Sequence, residues 1–449
     1  MAHPAAPPSP SASFFPALDG DLPTIVRAEG IYLYDADGRA IIDAAGGVGA
    51  VTAIGHAVPE IIEAITDQLK KVAFVPWTQF QSEPAQRLAE AVAEMTPRGL
   101  TGVAMFTSGS EVTEGAVKLA RQYWLAHGKP DKHVVISRWQ GFHGMTLGAT
   151  GFSGHTARRR KYQPMLHDMP KIGPAYAYRC DDCASGSLRC ADELERLIRW
   201  YGPENVACFI AEPVVGATMG AVPAPPGYFQ RIREICDRND LLFIADEVMC
   251  GFGRTGRWFA IEHWDVVPDI LVAAKGVSGG YAPLAVLIAH ERILAALRAA
   301  GTPWIAGHTY AQNPVTAAAG LAVLDYLQRH DLVHAAAERG AQLKDGLQRL
   351  IPRHRILGDV RGLGLLLGVE LVQDRATREP FPVEQGVAFR FGRACIEEGV
   401  AVYPGQSGAD GQVGDHALVT PPLVITPEQV DALVAGIDRG LSRLEAQLS

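Results

Sequence analysis

Of the nine lysines in this 449-residue chain, Lys275 alone directly follows an apolar run, 270–274, and leads straight into Gly276-Val277-Ser278-Gly279-Gly280. Desolvation at such a place favours the uncharged amine, the form that attacks a carbonyl to give a Schiff base. The alternative is a strand-end lysine whose stem lies on apolar surface while its ammonium reaches water. Asp246 ends the run 241–245 in the same way, 29 residues earlier. A carboxylate beside a Schiff-base lysine can hold the protonated nitrogen of a heteroaromatic cofactor and keep its ring electron-withdrawing. Asp246 could equally be the N-cap of a following helix. Together the two residues say more than either does alone.

A third feature adds a phosphate. Thr107-Ser108-Gly109-Ser110 lies between the apolar run 103–106 and the helix-like 112–124, where backbone N–H groups and a positive helix end bind anions. Ser108 and Glu111 also have the spacing of an ordinary capping box. Phe142, with Gly141 and Gly144 beside it, suits stacking on a flat ring, although loop aromatics also serve simply as packing. Lysine, carboxylate, phosphate loop and aromatic are jointly the requirements of pyridoxal 5'-phosphate. Cys180, Cys183 and Cys190 form a CxxC with a third cysteine nearby; structural zinc usually takes four ligands, so free thiols are the expectation. Gly251, Gly253 and Gly256 match a lone GxGxxG, but residues 246–250 separate it from the preceding strand and 257–259 follow, so a dinucleotide site is not expected.

These residues need a common platform. Five runs rich in Val, Ile, Leu and Phe, at 103–106, 134–136, 206–211, 241–245 and 270–274, each end in polar or glycine-rich chemistry. That is the pattern of an α/β fold, a mostly parallel sheet covered by helices, whose ligands collect beyond the carboxyl ends of the strands. After Pro314 the chain changes to Ala-rich helical patterns at 315–329 and 333–350 and a strand at 364–371, a smaller α+β unit. Residues 31–43 form a hairpin around Asp37-Gly38 that joins this C-terminal part. The expected division is a flexible arm at 1–30, the N-terminal part of the small domain at 31–65, a large cofactor-binding domain at 66–314 and a C-terminal small domain at 315–449. A formal charge of −8, from 41 basic and 49 acidic residues, gives no footprint for nucleic acid or an anionic membrane. No apolar run reaches the roughly 18 to 20 residues of a membrane span. Seven scattered cysteines and the lack of a signal-type leader suggest a reducing, cytoplasmic setting.

In order along the chain stand Ser108-Gly109-Ser110-Glu111, Phe142-His143-Gly144, Glu212-Pro213, Asp246-Glu247-Val248, Gly251-Phe252-Gly253-Arg254-Thr255-Gly256, Pro268-Asp269-Ile270, Lys275-Gly276 and Gly307-His308-Thr309-Tyr310. From about residue 31 to the C-terminus the sequence resembles the class III aminotransferases, the ω-transaminase group with the aspartate-aminotransferase-like fold (fold type I). The resemblance implies that Lys275 carries pyridoxal phosphate and shuttles the proton while Asp246 holds the ring nitrogen. It also implies that Val248 and Phe142 sandwich the ring and that Gly109 and Ser110 bind the phosphate. Ser108 and His143 are further cofactor contacts, and Glu212 supports the ring-hydroxyl side or the substrate pocket. Thr309 reaches the phosphate of the other subunit, which implies a homodimer or a dimer of dimers. The implied reaction moves an amino group from a primary amine or ω-amino acid to a 2-oxo acid such as pyruvate, in two half-reactions. An aminomutase or a decarboxylating transaminase is the alternative. Two departures stand out. Phe142 lacks the ring hydroxyl that some relatives have there, and residues 403–426 contain no arginine where many relatives carry one for the acceptor carboxylate. Gln406 or Gln412 is the expected substitute, ahead of an arginine from another segment. Gly46, Gly47 and Gly49 are expected to leave room for a bulky amine.

Overall fold

The computed structural model describes residues 22–304, 306–408 and 411–448. Its central feature follows from the most apolar runs: every residue of Val206–Ala211, Leu242–Glu247 and Ile270–Ala273 is buried, as strands covered on both faces must be. The seven-stranded sheet has the spatial order Leu100–Phe106, Ala285–His290, Ile270–Ala273, Leu242–Glu247, Val206–Ala211, Val134–Arg138 and Lys171–Ile172. Only Ala285–His290 runs against its neighbours. The other six strands are mutually parallel, so the five polar strand ends expected to converge do lie on one edge.

Helix Gly109–Ala126 crosses the sheet and buries Val112, Ala116, Leu119 and Trp124, while Tyr228–Arg238 buries Phe229 and Ile232 on the opposite layer. Phe229 stacks on Phe243, 5.7 Å between ring centroids, and Phe243 on Phe209 at 6.3 Å. Each such side chain contributes about 1.5–3 kcal/mol by leaving water. This burial makes the strand ends a rigid support.

The C-terminal part contains a four-stranded antiparallel sheet in the order Leu357–Leu363, Leu366–Leu371, Asp415–Val419 and Tyr403–Gln406. Helices Pro314–Arg329 and Leu332–Gln348 precede it, within two residues of their expected limits. The first begins where Asn313 Oδ1 accepts from the amides of Val315 and Thr316, with Pro314 as its first residue. The N-terminal hairpin pairs Tyr32–Asp35 with Ala40–Asp43, and Ile42 pairs in turn with Val400, tying it to the C-terminal part. Most of the expected arm, 1–21, lies outside the described residues. Ile25–Glu29 is a strand rather than arm, because its backbone pairs antiparallel with Tyr32–Asp35. Among the described residues no helix is long and apolar enough to cross a membrane.

Candidate active site

Lys275 emerges where Ile270–Ala273 ends and a single tight turn, Lys275–Val277, begins. Its φ of +45° lies in the left-handed region, a conformation that costs a non-glycine residue of order 1–3 kcal/mol and persists only where the surroundings impose it. The amine donates to Gly49 O at 2.9 Å. Burial pulls its pKa down to about 8; Asp246 and Glu212 oppose this, and Arg158 and Arg254 add to it. The structure places the Lys275 amine in a buried setting that disfavours its charged form.

Asp246 is 2% exposed in the neighbouring parallel strand. Its Oδ1 accepts from Val248 N at 3.0 Å, the contact a turn-capping aspartate would make. Its Oδ2 lies 2.7 Å from His143 Nδ1, and the other ring nitrogen of that buried histidine, Nε2, has no partner. His143 is fixed from three sides. Its amide donates to Ser153 Oγ at 2.8 Å, its carbonyl accepts from Thr113 Oγ1 at 2.6 Å, and Phe152 packs on its ring. Glu212 is buried, with its pKa raised to about 7 chiefly by desolvation, and accepts from Phe142 N at 3.2 Å.

The loop at Ser108 caps the helix that follows it. Ser108 Oγ accepts from Glu111 N at 3.2 Å, whereas the Glu111 carboxylate reaches back to the amide and hydroxyl of Thr107. The amides of Gly109 and Ser110 precede the first helical bond, Val112 N to Ser108 O, and so have no acceptor within the helix. A Cβ on Gly109 would come within 3.0 Å of Val248 Cγ1, and one on Gly144 within 2.5 Å of Ser110 Oγ. Glycine at these two positions lets three strand-end loops meet. Ser110 Oγ accepts from Met145 N at 3.0 Å, which leaves its hydroxyl proton to donate.

Ser108, Gly109 and Lys275 line one cavity of about 350 Å³, together with Val51, Ser278 and Tyr281. First-turn residues of a helix and a buried amine thus share one space. A cavity of about 870 Å³ behind helix Gly109–Ala126, lined by Val117, Arg121, Leu125 and Met169, holds none of the predicted site residues. Across residues 19–441 the sequence matches the family model for class-III aminotransferases. The chain belongs to that family.

Known aminotransferases agree with this along nearly their whole length. The chain is 38% identical to the uncharacterized aminotransferase YodT of Bacillus subtilis over 436 residues, 96% of this chain and 98% of that one. It is 35% identical to the putrescine–pyruvate aminotransferase of Pseudomonas aeruginosa, covering 91% of this chain and 88% of that one. An amine transaminase from an uncultivated Pseudomonas species, solved in its pyridoxal phosphate-bound form, superposes with a TM-score of 0.89 at 32% identity over 99% of both chains. The expected α/β fold of this aminotransferase is the fold those structures share.

Thr309 lies 34 positions beyond Lys275 in the chain. It is exposed, next to His308, whose Nδ1 lies 3.7 Å from Glu111 Oε1. Gln406 donates to Val383 O at 2.7 Å, and Gln412 is exposed. The arginine that the sequence reading passed over is Arg158, in the short helix Thr156–Arg159. Its guanidinium lies 4.6 Å from the Phe142 ring centroid and 3.5 Å from the Tyr403 hydroxyl. The basic run Arg158-Arg159-Arg160 was visible, but nothing local marks its first member as facing inward. Gly49 was expected as a small pocket residue. In the structure its carbonyl also holds the lysine.

Proposed function

We propose that this aminotransferase uses pyridoxal 5'-phosphate to move an amino group from a primary amine or ω-amino acid to a 2-oxo acid such as pyruvate. The observation that carries the reading is the amine of Lys275, with its pKa lowered to about 8, opening into the same cavity as the Ser108–Gly109 cradle. The residues fit the cofactor: first-turn amides for a phosphate, Asp246 for a ring nitrogen, and Val248 and Phe142 for the two faces of a flat ring. Bound pyridoxal phosphate supplies an aldehyde carbon and an electron-withdrawing ring, which lets a proton leave the carbon that bears the substrate's amino group.

The chain's own residues do the rest. Lys275 Nζ, held by Gly49 O, would hold the cofactor covalently and, as a free amine, would take and return the proton as a general base and acid. Asp246 would offer its carboxylate to the ring nitrogen, and His143 fixes its second oxygen. Glu212, with its pKa near 7, can hold or release a proton on the ring-hydroxyl side. Arg158, over Phe142, is the cation best placed to receive an acceptor carboxylate, a role that Gln406, committed to Val383 O, does not fill. The similarity to a putrescine–pyruvate aminotransferase supports a donor without an α-carboxylate.

Two finer points belong to the same reading. The enzyme works as a homodimer or dimer of dimers in which exposed Thr309 completes the phosphate site across the interface, and it works in the cytoplasm. Borohydride reduction of the yellow holoenzyme followed by peptide mass spectrometry tests the central point. The cofactor should be fixed to the peptide containing Lys275, with alanine formed from pyruvate and an amine donor; attachment to another lysine would overturn the assignment. For the assembly, mixing Lys275→Ala with Thr309→Ala subunits should restore activity in hybrid dimers, since one site then carries neither lesion. No gain after confirmed subunit exchange counts against a shared site.

A further inference from the structure

Cys180, Cys183 and Cys190 do not line the cavity that holds Lys275, and their three Sγ atoms lie within 4.8 Å of one another. Cys183 and Cys190 are buried, and Cys180 is partly exposed. We propose that these three cysteines form a structural site for a thiophilic d¹⁰ cation, zinc being the expected ion.

Three observations point the same way. The first is number: a disulfide joins two sulfurs at about 2.05 Å and would strand the third thiol, whereas a zinc ion uses all three. With zinc–sulfur bonds of about 2.3 Å, tetrahedral thiolates stand about 3.8 Å apart, so small side-chain rotations close the cluster onto an ion. The second is support of the ligands. The amide of Cys183 points at Cys180 Sγ, 3.5 Å away, and Cys190 is the second residue of the 13-residue helix Arg189–Tyr201, so both offer positive dipoles to thiolate charge. The third is position. Directly upstream, the Tyr176 hydroxyl and the Arg179 guanidinium hold Glu370 of the C-terminal sheet, and Arg361 binds the same carboxylate at 2.7 Å while donating to Met219 O and Gly220 O. An ion tying Cys180 and Cys183 to helix Arg189–Tyr201 would fix the base of this clamp, in a stretch with little regular structure of its own. No fourth His, Cys, Asp or Glu ligand joins the three among the described residues, which leaves the last position to water. Binding displaces the thiol protons and needs no oxidant.

The free-thiol expectation rested on the absence of a fourth ligand, and none joins the three among the described residues; the proposal rests on the convergence of the three sulfurs. The test is metal analysis of enzyme purified without chelator, combined with mapping of alkylated cysteines. About one equivalent of zinc per chain is expected, with all three cysteines protected until a chelator is added. Exchange with cobalt should give sulfur-to-cobalt charge-transfer absorption, and Cys183→Ser and Cys190→Ser should lose both the metal and that absorption. If either variant fails to fold, chelator-dependent alkylation of the wild-type enzyme still decides the matter. Metal-free protein with three reactive thiols, a mass lower by two hydrogens from a disulfide, or full zinc retention in both variants would each overturn the site.

Discussion

The two ends of the active site are built differently. At the cofactor end, Asp246, Glu212 and Lys275 sit at or one to two residues past the ends of buried parallel strands, and each charge has a named partner or opposing charge. At the proposed acceptor end stand the turn Gly46–Ala50, with positive φ at Gly46, Gly47, Gly49 and Ala50, the four-residue helix Thr156–Arg159 and the edge strand Tyr403–Gln406. The stiff end suits chemistry that every substrate shares. The irregular end suits recognition, because short segments can change side chains without disturbing the sheet.

If that contrast holds, lesions at the stiff end should act on turnover for all substrates. The largest effect is expected from Lys275→Ala, which removes both the covalent anchor and the proton carrier and should lower kcat by at least about 10³-fold with the fold intact by circular dichroism. The same lysine predicts a pH dependence. In cofactor-free enzyme its labelling by an amine reagent should fall tenfold per unit as pH drops below about 8, since only the unprotonated amine reacts. A midpoint near the ordinary lysine value would mean that the amine is solvated and the stiff-end description wrong.

Asp246→Asn comes next. The amide keeps an acceptor for Val248 N but loses the charge, removing a charge-assisted contact worth about 1.5–3 kcal/mol, so kcat should fall by about 10- to 100-fold while cofactor content changes little. Equal losses for every amine are part of the prediction, measured by steady-state kinetics with two donors of different size. Near-normal turnover would reduce Asp246 to the turn cap that its bond to Val248 also permits.

The same division explains what the sequence made legible. An apolar run followed by Lys, Asp or Glu is a local signal, and a parallel sheet brings such ends together whatever the loop lengths. The antiparallel strand Ala285–His290 drew no notice, because it runs the other way and its last residue, His290, pairs with Leu100 at the opposite edge, although the strand completes the sheet beside Lys275. Contacts at the irregular end have no local signature: Lys275 meets Gly49 across 226 residues and Arg158 meets Tyr403 across 245. The three cysteines lay between these cases, since their spacing was plain but their convergence depends on how 180–190 folds.

At the irregular end the expected loss is selective. Arg158→Met keeps an aliphatic stem over Phe142 but removes the cation, so KM for pyruvate should rise by about 10- to 100-fold, the worth of one or two charge-assisted hydrogen bonds. The half-reaction with an amine lacking a carboxylate, followed in single turnover, should be nearly unchanged. A matching loss in both half-reactions would place Arg158 with the stiff end instead.

The smallest effect is expected at Gly49, where the two ends touch. Its φ of +71° is strained for any other residue, and an added Cβ would lie 3.1 Å from Met249 Cε and 4.0 Å from Lys275 Nζ. The methionine tip is flexible and can move, so the steric conflict is mild. The backbone term, about 1–2 kcal/mol for an L-residue in the left-handed region, falls on the carbonyl that holds the lysine. Gly49→Ala should therefore lower stability slightly and cost small amines only a few-fold in kcat/KM, while amines with a bulky group on the reacting carbon lose more, because the new methyl group occupies space beside the amine. A graded series of donor sizes measures this directly. If the loss is the same at every size, Gly49 acts through the lysine alone and adds no room to the pocket.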